Sequence, residues 1–231
     1  MFKKRVLRTS ILVFFSVGQE SVKKVSKRRE LFFQYYYCPH FIFQLDSLEY
    51  VHSHGYIHKD IKGSNLLLGR HDASARSRLF LLDFGLRSKY IQNGVHKPYE
   101  PDRRWAHEGT LEYTSRDCHL GCFSRRGDIE VLFYNMVEWM GGKLPWEDLV
   151  DRVKPPEIQR AKIRAFADPP TFLADCFKED PGAPPEFLGK MMVSIEKLRF
   201  EEAPDYQYLR CLFSSEIYKA KVGGQTDEME V

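Results

Sequence analysis

The 231-residue sequence lacks several features that would assign it to a special class of protein. It has no apolar run approaching the roughly 18 residues that a membrane-spanning helix needs. No internal repeat and no Gly/Ser-rich or Pro-rich linker is visible. Its cysteines are few, odd in number and free of any C-x-x-C pair, which argues against a disulfide framework or a zinc site; they are Cys38, Cys118, Cys122, Cys176 and Cys211. We therefore expect a globular, intracellular chain (nucleus or cytoplasm) with buried core thiols.

Positive charge is concentrated in the first thirty residues. They hold nine Lys or Arg and two Glu, so the formal net charge of +3 hides a negative remainder. The stretch "VKKVSKRR", residues 22–29, fits a nuclear address or a nucleic-acid patch. Its composition favours a solvated, partly disordered arm instead. The five-residue apolar run from Ile11 to Phe15 is short for a signal peptide and is followed by this basic stretch, which argues against secretion.

The first readable elements are a helix and two short strands. Leu45, Leu48 and Val51, with Gly55 behind them, have the spacing of a helix and its stop signal. The runs "NLLLG" and "SRLFLLDFG" have strand length and are joined by a polar turn. They predict strands at about 66–69 and 79–82.

The rest of the chain reads as a long loop followed by helices. Residues 86–124 are polar and predict an ordered loop without regular elements. "GDIEVLFYNMVEWMGG" is apolar nearly all round and predicts a buried helix from about Ile129 to Met140. Four further helical patterns follow: "EIQRAKIRAFA", "TFLADCF", "PEFLGKMMVSIEKL" and "PDYQYLRCLFSSEIYKA". We predict a mainly α fold with small β elements over residues 44–220, after a basic, aromatic segment (1–43) without recognisable fold and before an acidic flexible tail (221–231).

Phosphoryl-transfer chemistry is indicated by "YIHKDIKGSNLLLG", residues 56–69, and by "DFG", residues 83–85. Phosphoryl transfer needs a base near the acceptor hydroxyl, metal ligands and positive charge on the moving phosphate. Asp60 is a candidate for the base, Lys62 for the charge, and Asn65 and Asp83 for oxygen ligands of Mg²⁺. Each residue alone has an ordinary structural alternative, such as a helix cap for Asp60. Both motifs in this order, joined by two strands, make coincidence a poor explanation.

"HKDIKGSN" with "DFG" resembles the large lobe of the eukaryotic protein kinases. "GTLEYTSRDCH", residues 109–119, stands where most kinases have an A-P-E motif and is similar to the casein kinase 1 group. "LEYVHSHGYIHKDIKGSNLLL" and "GVHKPYEPD" look most like the vaccinia-related kinase branch of that group. The likeness extends from about Leu45 to about Ser215, roughly three quarters of the chain.

The resemblance implies roles for individual residues. Asp60 and Lys62 would be catalytic, and Lys62 is typical of serine/threonine kinases at this position. Lys62, Asn65, Leu67 and Asp83 would bind ATP, with Asn65 and Asp83 holding Mg²⁺ and Leu67 lying under the adenine. The substrate would be a protein with a Ser or Thr acceptor. Two further contacts are implied: Thr110 hydrogen-bonds the catalytic loop, and Asp128 holds the backbone of that loop.

Two departures from the kinase pattern qualify this picture. Lys59 replaces the Arg that grips a phosphorylated activation loop in kinases at large, and Lys cannot form the bidentate fork of Arg. In addition, the 57 residues before His58 contain no G-x-G-x-x-G and no V-A-I-K-like strand. We therefore expect the small lobe that clamps ATP to be missing. An alternative first exon or a gene-model error would each explain residues 1–43.

Three functions follow as hypotheses. The first is a serine/threonine protein kinase of the vaccinia-related type, inactive or very weak as written. The second is a non-catalytic interaction module or pseudokinase. The third, a nucleic-acid-binding protein driven by the basic arm, lacks any supporting fold signature. Mg-ATP binding would separate the first two, and a steep salt dependence of DNA binding would support the third.

Overall fold

The computed structural model describes residues 38–68, 79–179 and 184–215. These residues divide into two compact units. The first contains residues 38–47, 66–68, 79–82 and 205–215, and the second contains residues 48–65, 83–179 and 184–204. Helix α1 (Cys38–Ser53) begins in the first unit and ends in the second. The candidate catalytic loop follows α1 directly.

Helix α1 begins earlier than predicted, at Cys38 rather than near Leu45. Phe41, Leu45 and Leu48 are fully buried and lie at positions i, i+4 and i+7, which is the spacing of one helix face. The crowded aromatic residues around Phe41 conceal this period in the sequence. The helix therefore crosses the predicted boundary at residue 43, and that boundary stays a prediction.

The first unit contains a small antiparallel strand pair and two helical segments. Strands β2 (Leu66–Leu68) and β3 (Leu79–Leu81) pair in register, with Leu67 opposite Phe80, which confirms the two predicted strands. Residues 206–215 are helical and form α6. The rings of Phe41 and Phe213 are 5.9 Å apart, and Arg210 Nε donates to Asp46 Oδ1 over 2.8 Å. An aromatic contact and an ion pair thus join α6 to the start of α1.

The second unit is built around a buried helix, α2 (Arg125–Trp139). Ser124 caps its start by accepting from Gly127 N over 3.1 Å, and Gly141 ends it with φ of +88°. Nearly every α2 side chain is buried, so the predicted central helix is confirmed. Helices α3 (Pro155–Ala167), α4 (Pro169–Cys176) and α5 (Glu186–Lys197) pack around it. These three confirm the helical patterns found in the sequence.

The segment 86–124 contains more regular structure than predicted. Strand β1 (Tyr56–Ile57) pairs antiparallel with β4 (Ser88–Lys89), and β5 (Ile91–Gln92) pairs with β6 (Val95–His96). Asn93 and Gly94 connect the second pair with positive φ angles of 52° and 78°, as a tight hairpin turn requires. Two-residue strands carry no readable alternation, so the sequence could not reveal them.

The remaining structural expectations have mixed outcomes. Cys118, Cys122 and Cys176 are buried as predicted, whereas Cys211 is exposed because its position on α6 faces outward. Among the helices of residues 38–68, 79–179 and 184–215, none is both long and apolar enough to cross a bilayer. The basic arm up to residue 37, the turn at 69–78 and the tail at 221–231 lie outside the described residues.

Candidate functional site

The backbone of the candidate catalytic loop is held by one buried carboxylate. Asp128, in the first turn of α2, accepts from His58 N over 2.7 Å and from Lys59 N over 2.8 Å. It also accepts from His52 Nε2 over 2.9 Å. Lys59 has φ of +72°, a strained angle for a residue with a side chain. Asp128 therefore holds the loop at a residue with a strained backbone angle. The predicted contact between Asp128 and this backbone is confirmed.

Asp60, Lys62 and Thr110 form a closed polar cluster. Lys62 Nζ lies 2.7 Å from Asp60 Oδ2 and donates to Thr110 Oγ1 over 2.8 Å. Thr110 Oγ1 donates to Asp60 Oδ1 over 2.7 Å, and Thr110 N approaches the same oxygen to 3.2 Å. The predicted hydrogen bond from Thr110 to the catalytic loop is thus confirmed. Both oxygens of Asp60 are occupied, and its carboxylate has one defined orientation.

The pKa of Asp60 is set by opposing effects. Burial alone would raise the pKa, but hydrogen bonds from Lys62 and Thr110 outweigh burial and lower it below the ordinary value. Asp60 is therefore an anion at neutral pH, with the proton-accepting form already in place. In Asp128 burial is likewise outweighed by hydrogen bonds from His52 and from the His58 backbone, so that its pKa is also lowered.

The two oxygen ligands proposed from sequence lie in different surroundings. Asn65 is buried, and its Nδ2 donates to Asp60 O over 2.8 Å and to Asp60 Oδ2 over 3.2 Å, which turns its amide oxygen away from Asp60. Asp83 is exposed, with φ of +65°, and its side chain accepts a 3.3 Å hydrogen bond from Gly85 N. An amide oxygen and a free carboxylate suit Mg²⁺, which takes few protein ligands. The donor set fits this ion.

The DFG segment is anchored beside the catalytic loop by an aromatic contact. The ring of Phe84 meets the ring of His58 edge to face, with centroids 4.8 Å apart. Strand pairing places Ile57 opposite Ser88, just after this turn. Both ends of the turn that carries Asp83 are therefore attached to the chain that precedes Asp60.

Lys59 is engaged inside the protein. Its ammonium group pairs with Glu108 and lies 3.9 Å from the centroid of the Phe123 ring. Only 5% of the Lys59 side chain is exposed. Next to Glu108, Gly109 has φ of +90°, and a Cβ there would lie 2.7 Å from Lys59 O. Glu108 and Gly109 bring the segment that carries Thr110 against the catalytic loop.

Leu67 belongs to the first unit, whereas the site residues just described all belong to the second. It is half-buried on β2 opposite Phe80. Sequence reasoning missed Glu108, Gly109 and His52. Each acts on the loop from a distant position or through backbone shape, and no motif marks it.

The comparisons with known proteins agree with this geometry. The family model described as "Protein kinase domain" matches residues 6–147. Nucleosomal histone kinase 1 of Drosophila melanogaster is 39% identical over 183 residues, covering 79% of this chain and 29% of the relative. Serine/threonine-protein kinase VRK2 of Homo sapiens is 39% identical, covering 72% and 32%. B1 kinase of Vaccinia virus (strain Western Reserve) is 34% identical, covering 75% and 56%.

A solved structure, titled "Structure of vaccinia related kinase 3", resembles the chain with a TM-score of 0.67 and 27% sequence identity. The likeness covers 85% of this chain and 57% of that chain. It confirms the predicted mainly α, kinase-like fold with small β elements. The chain spans at most about half the length of the three curated relatives above.

Proposed function

Because the chain belongs to the protein kinase family and its relatives are vaccinia-related kinases, we propose that it is built for transfer of the ATP γ-phosphate to Ser or Thr of a protein. The observation that carries the proposal is the Asp60–Lys62–Thr110 cluster, in which an ionised carboxylate is held at two oxygens. A histone is a reasonable first acceptor, since one relative is named a nucleosomal histone kinase. A nuclear location follows as part of this proposal, with the cytoplasm as the alternative.

Asp60 would accept the proton of the attacking hydroxyl. Its lowered pKa makes it a weak base in the resting cluster, because Lys62 and Thr110 stabilise the anion. When the Lys62 ammonium turns toward the γ-phosphate, Asp60 loses its strongest partner and becomes the better base. The exchange of Lys62 between Asp60 and phosphate thus couples positioning of the nucleotide to activation of the acceptor.

ATP and Mg²⁺ would bind through the four residues that the family resemblance assigns to them. Asn65 and Asp83 would hold the metal ion, which supplies charge neutralisation on the phosphates when bound. Lys62 would contact the γ-phosphate, and Leu67 would lie under the adenine. The exposed carboxylate of Asp83 fits this role, because a metal ion can reach it without displacing a buried partner.

We expect transfer by the chain as written to be too slow for a routine assay. Catalysis of phosphoryl transfer is positioning and electrostatics, and loss of one preorganised donor costs on the order of 10² to 10³ in rate. The sequence before His58 offers no glycine-rich loop and no strand Lys with a helix Glu. Together these losses would exceed about 5 kcal/mol of transition-state stabilisation, nearly four decades in rate.

The test uses radiolabelled ATP with casein or histone as acceptor, and Asp60→Ala as the paired variant. Labelling at background for both proteins is the expected result. Robust labelling that disappears in Asp60→Ala would refute the expected inactivity and support the kinase assignment. Labelling equal in both proteins would point to a contaminating kinase and is excluded by repeating the assay after a second purification step.

Calorimetry of Mg-ATP binding tests whether the chain is instead a non-catalytic interaction module. Binding that requires Mg²⁺ and is lost in Asp83→Asn supports the nucleotide site. Absence of binding at millimolar Mg-ATP favours the interaction module, since the residues of the site would then serve only the fold.

A further inference from the structure

Lys162 of α3 is a fully buried amine that the proposed chemistry does not use. None of its side chain is exposed. Its Nζ donates to Thr114 O over 2.6 Å and to Leu111 O over 2.9 Å, and lies 3.4 Å from His119 Nε2. In the described part of the chain no carboxylate forms an ion pair with it. Backbone carbonyls, which are weaker partners than carboxylates, thus receive a buried cation.

These carbonyls belong to a turn that ends on Asp60. Thr110 O accepts from Tyr113 N and from Thr114 N, each over 2.9 Å, which closes the turn 110–114. The opposite side of Thr110 holds Asp60 through its hydroxyl and its amide. A chain of hydrogen bonds therefore runs from Lys162 through residues 111–114 to Thr110 and Asp60.

A second buried donor completes the attachment of this turn. Trp146 Nε1 donates to Glu112 O over 2.9 Å. The Lys162 ammonium lies 5.4 Å from the Trp146 ring and 5.0 Å from the Tyr134 ring, which favours a cation there. Packing alone would be satisfied by an apolar side chain at position 162, but the carbonyls of Leu111 and Thr114 would then be buried without donors. The N–H groups of Lys162 are what the turn requires.

We infer that Lys162 is a positioning residue, which acts through the turn 110–114 to hold Thr110 against Asp60. Thr110 contacts Asp60, to which the proposed function assigns the proton of the acceptor hydroxyl, so the inference rests on that proposal for its catalytic meaning. The structural claim is that one buried ammonium group attaches the turn, and this claim does not depend on catalysis.

A histidine pair gives the ammonium group a spectroscopic signature. His119 Nδ1 lies 2.7 Å from His107 Nδ1, so that one of these nitrogens must donate to the other. Donation by Lys162 to His119 Nε2 makes that nitrogen an acceptor and places the His119 proton on Nδ1. His107 then accepts at Nδ1 and carries its own proton on Nε2. Burial lowers the pKa of both imidazoles, that of His119 to about 2, so that His119 is neutral at pH 6.

Burial and the neighbouring acidic groups shift the pKa of Lys162 in opposite directions. Burial lowers the pKa to about 7, against the opposing influence of Glu130, Cys118 and Glu112. Measurements on the ammonium form are therefore made at pH 6, below this value.

The decisive experiment is hydrogen exchange of the full chain at pH 6, comparing wild type with Lys162→Met. Methionine keeps an unbranched apolar chain beside Tyr134 and Trp146 and removes the donors. The matched control is Lys190→Met, at a half-exposed lysine of α5 that pairs with Glu186. We expect exchange at the amides of Thr110, Tyr113 and Thr114 to accelerate at least tenfold more than exchange in α2, with no such pattern in the control. Nitrogen-15 NMR should show that the fixed tautomers of His107 and His119 are lost in Lys162→Met.

A uniform acceleration across the fold, or none, would overturn the inference, as would unchanged histidine tautomers. If Lys162→Met does not fold, Lys162→Arg becomes the test variant, because arginine retains a cation and N–H donors. Protection of residues 110–114 within threefold of wild type supports the positioning role, and selective loss of that protection contradicts it. These measurements need no nucleotide. A failed ATP-binding test with the expected exchange pattern would refute the proposed function alone.

Discussion

The two carboxylates assigned to phosphoryl transfer occupy opposite environments. Asp60 is 8% exposed, and both of its oxygens are taken by Lys62 and Thr110. Asp83 is exposed, and its carboxylate accepts a long hydrogen bond from the amide of Gly85, two residues on. One carboxylate is oriented by the fold before any ligand arrives, and the other is kept in water.

The contrast shows which part of the site is held by buried polar groups. Asp128 accepts hydrogen bonds from the backbone just before Asp60, and Gly109 lets its own segment approach that backbone closely. Asn65 donates to Asp60 itself. The turn of Asp83 is attached through Phe84 and the neighbouring strand pair, and these fix the position of the turn but leave the carboxylate of Asp83 exposed to water. A group that must act on a substrate proton needs a fixed direction, whereas a metal ligand can be drawn into position by the ion.

The largest effect is expected where the buried network has its centre. Asp128→Ala removes the acceptor of two backbone amides and of His52, leaving buried donors unpaired. We expect a loss of about 3–5 kcal/mol in the free energy of unfolding, measured by urea denaturation. Ser124→Ala, which removes the cap of the same helix and one hydrogen bond to Asp117, should cost about 1–2 kcal/mol. Equal losses in the two variants would contradict a special role for Asp128.

A smaller loss is expected from Gly109→Ala. The new Cβ would lie 2.7 Å from the backbone oxygen of Lys59 at a residue with φ of +90°. Gly94→Ala is the matched control, because Gly94 has φ of +78° and no atom within 4 Å of a new Cβ. We expect about 1 kcal/mol for Gly94→Ala from backbone strain alone, and about 2–3 kcal/mol for Gly109→Ala from strain and contact together. Equal melting temperatures for the two variants would show that the segment can move away from Lys59.

Acidification should weaken the same network by degrees. Asp128 has a lowered pKa in the folded protein, so it binds its proton more readily when unfolded. Its contribution to stability is therefore present above its unfolded pKa, roughly 4, and is lost as pH falls through the lower folded value. The stability difference between wild type and Asp128→Asn, measured in urea at pH 7, 5 and 3, should be constant down to pH 5 and shrink by pH 3. A stability difference that grows as the pH falls would contradict the expected direction of the effect.

The smallest effect on stability is expected at Asp83. Asp83→Asn keeps a side chain that tolerates a positive φ and removes only the charge of an exposed group. We expect a change within about 0.5 kcal/mol in the free energy of unfolding. The same substitution at Asp60 should cost more, because Lys62 would lose its ionic partner. If the two variants lose equal stability, the contrast between a fixed and a solvated carboxylate is wrong.

How much of the site could be predicted from the sequence depends on how far apart its residues lie along the chain. Asp60, Lys62 and Asn65 lie within six residues, so a local motif places them together. The contacts of Thr110 and Asp128 with the loop required the family resemblance, because 50 and about 70 residues intervene.

Other contacts had no readable signal. Lys162 lies in an amphipathic helical pattern where a lysine normally indicates a solvated face, and only the packed fold buries it. Gly109 owes its role to a backbone angle and a close approach, and neither is written in residue type. The site could therefore be named from sequence, with Thr110 and Asp128 added by the family resemblance, while the roles of Gly109 and Lys162 could not be predicted.

The ion pair between Lys59 and Glu108 has a consequence for how the chain responds to its surroundings. The negative charge that pairs with Lys59 is the carboxylate of Glu108, which is part of the sequence and requires no later modification. The Lys59 side chain is almost fully buried. A phosphate attached later to a nearby hydroxyl would have to displace a carboxylate and enter a site beside the Phe123 ring. Such a displacement costs the desolvation of the entering phosphate and the loss of the Lys59–Glu108 ion pair. The contact is therefore present without phosphorylation, and a phosphate near Lys59 would compete with Glu108 instead of adding a new ion pair.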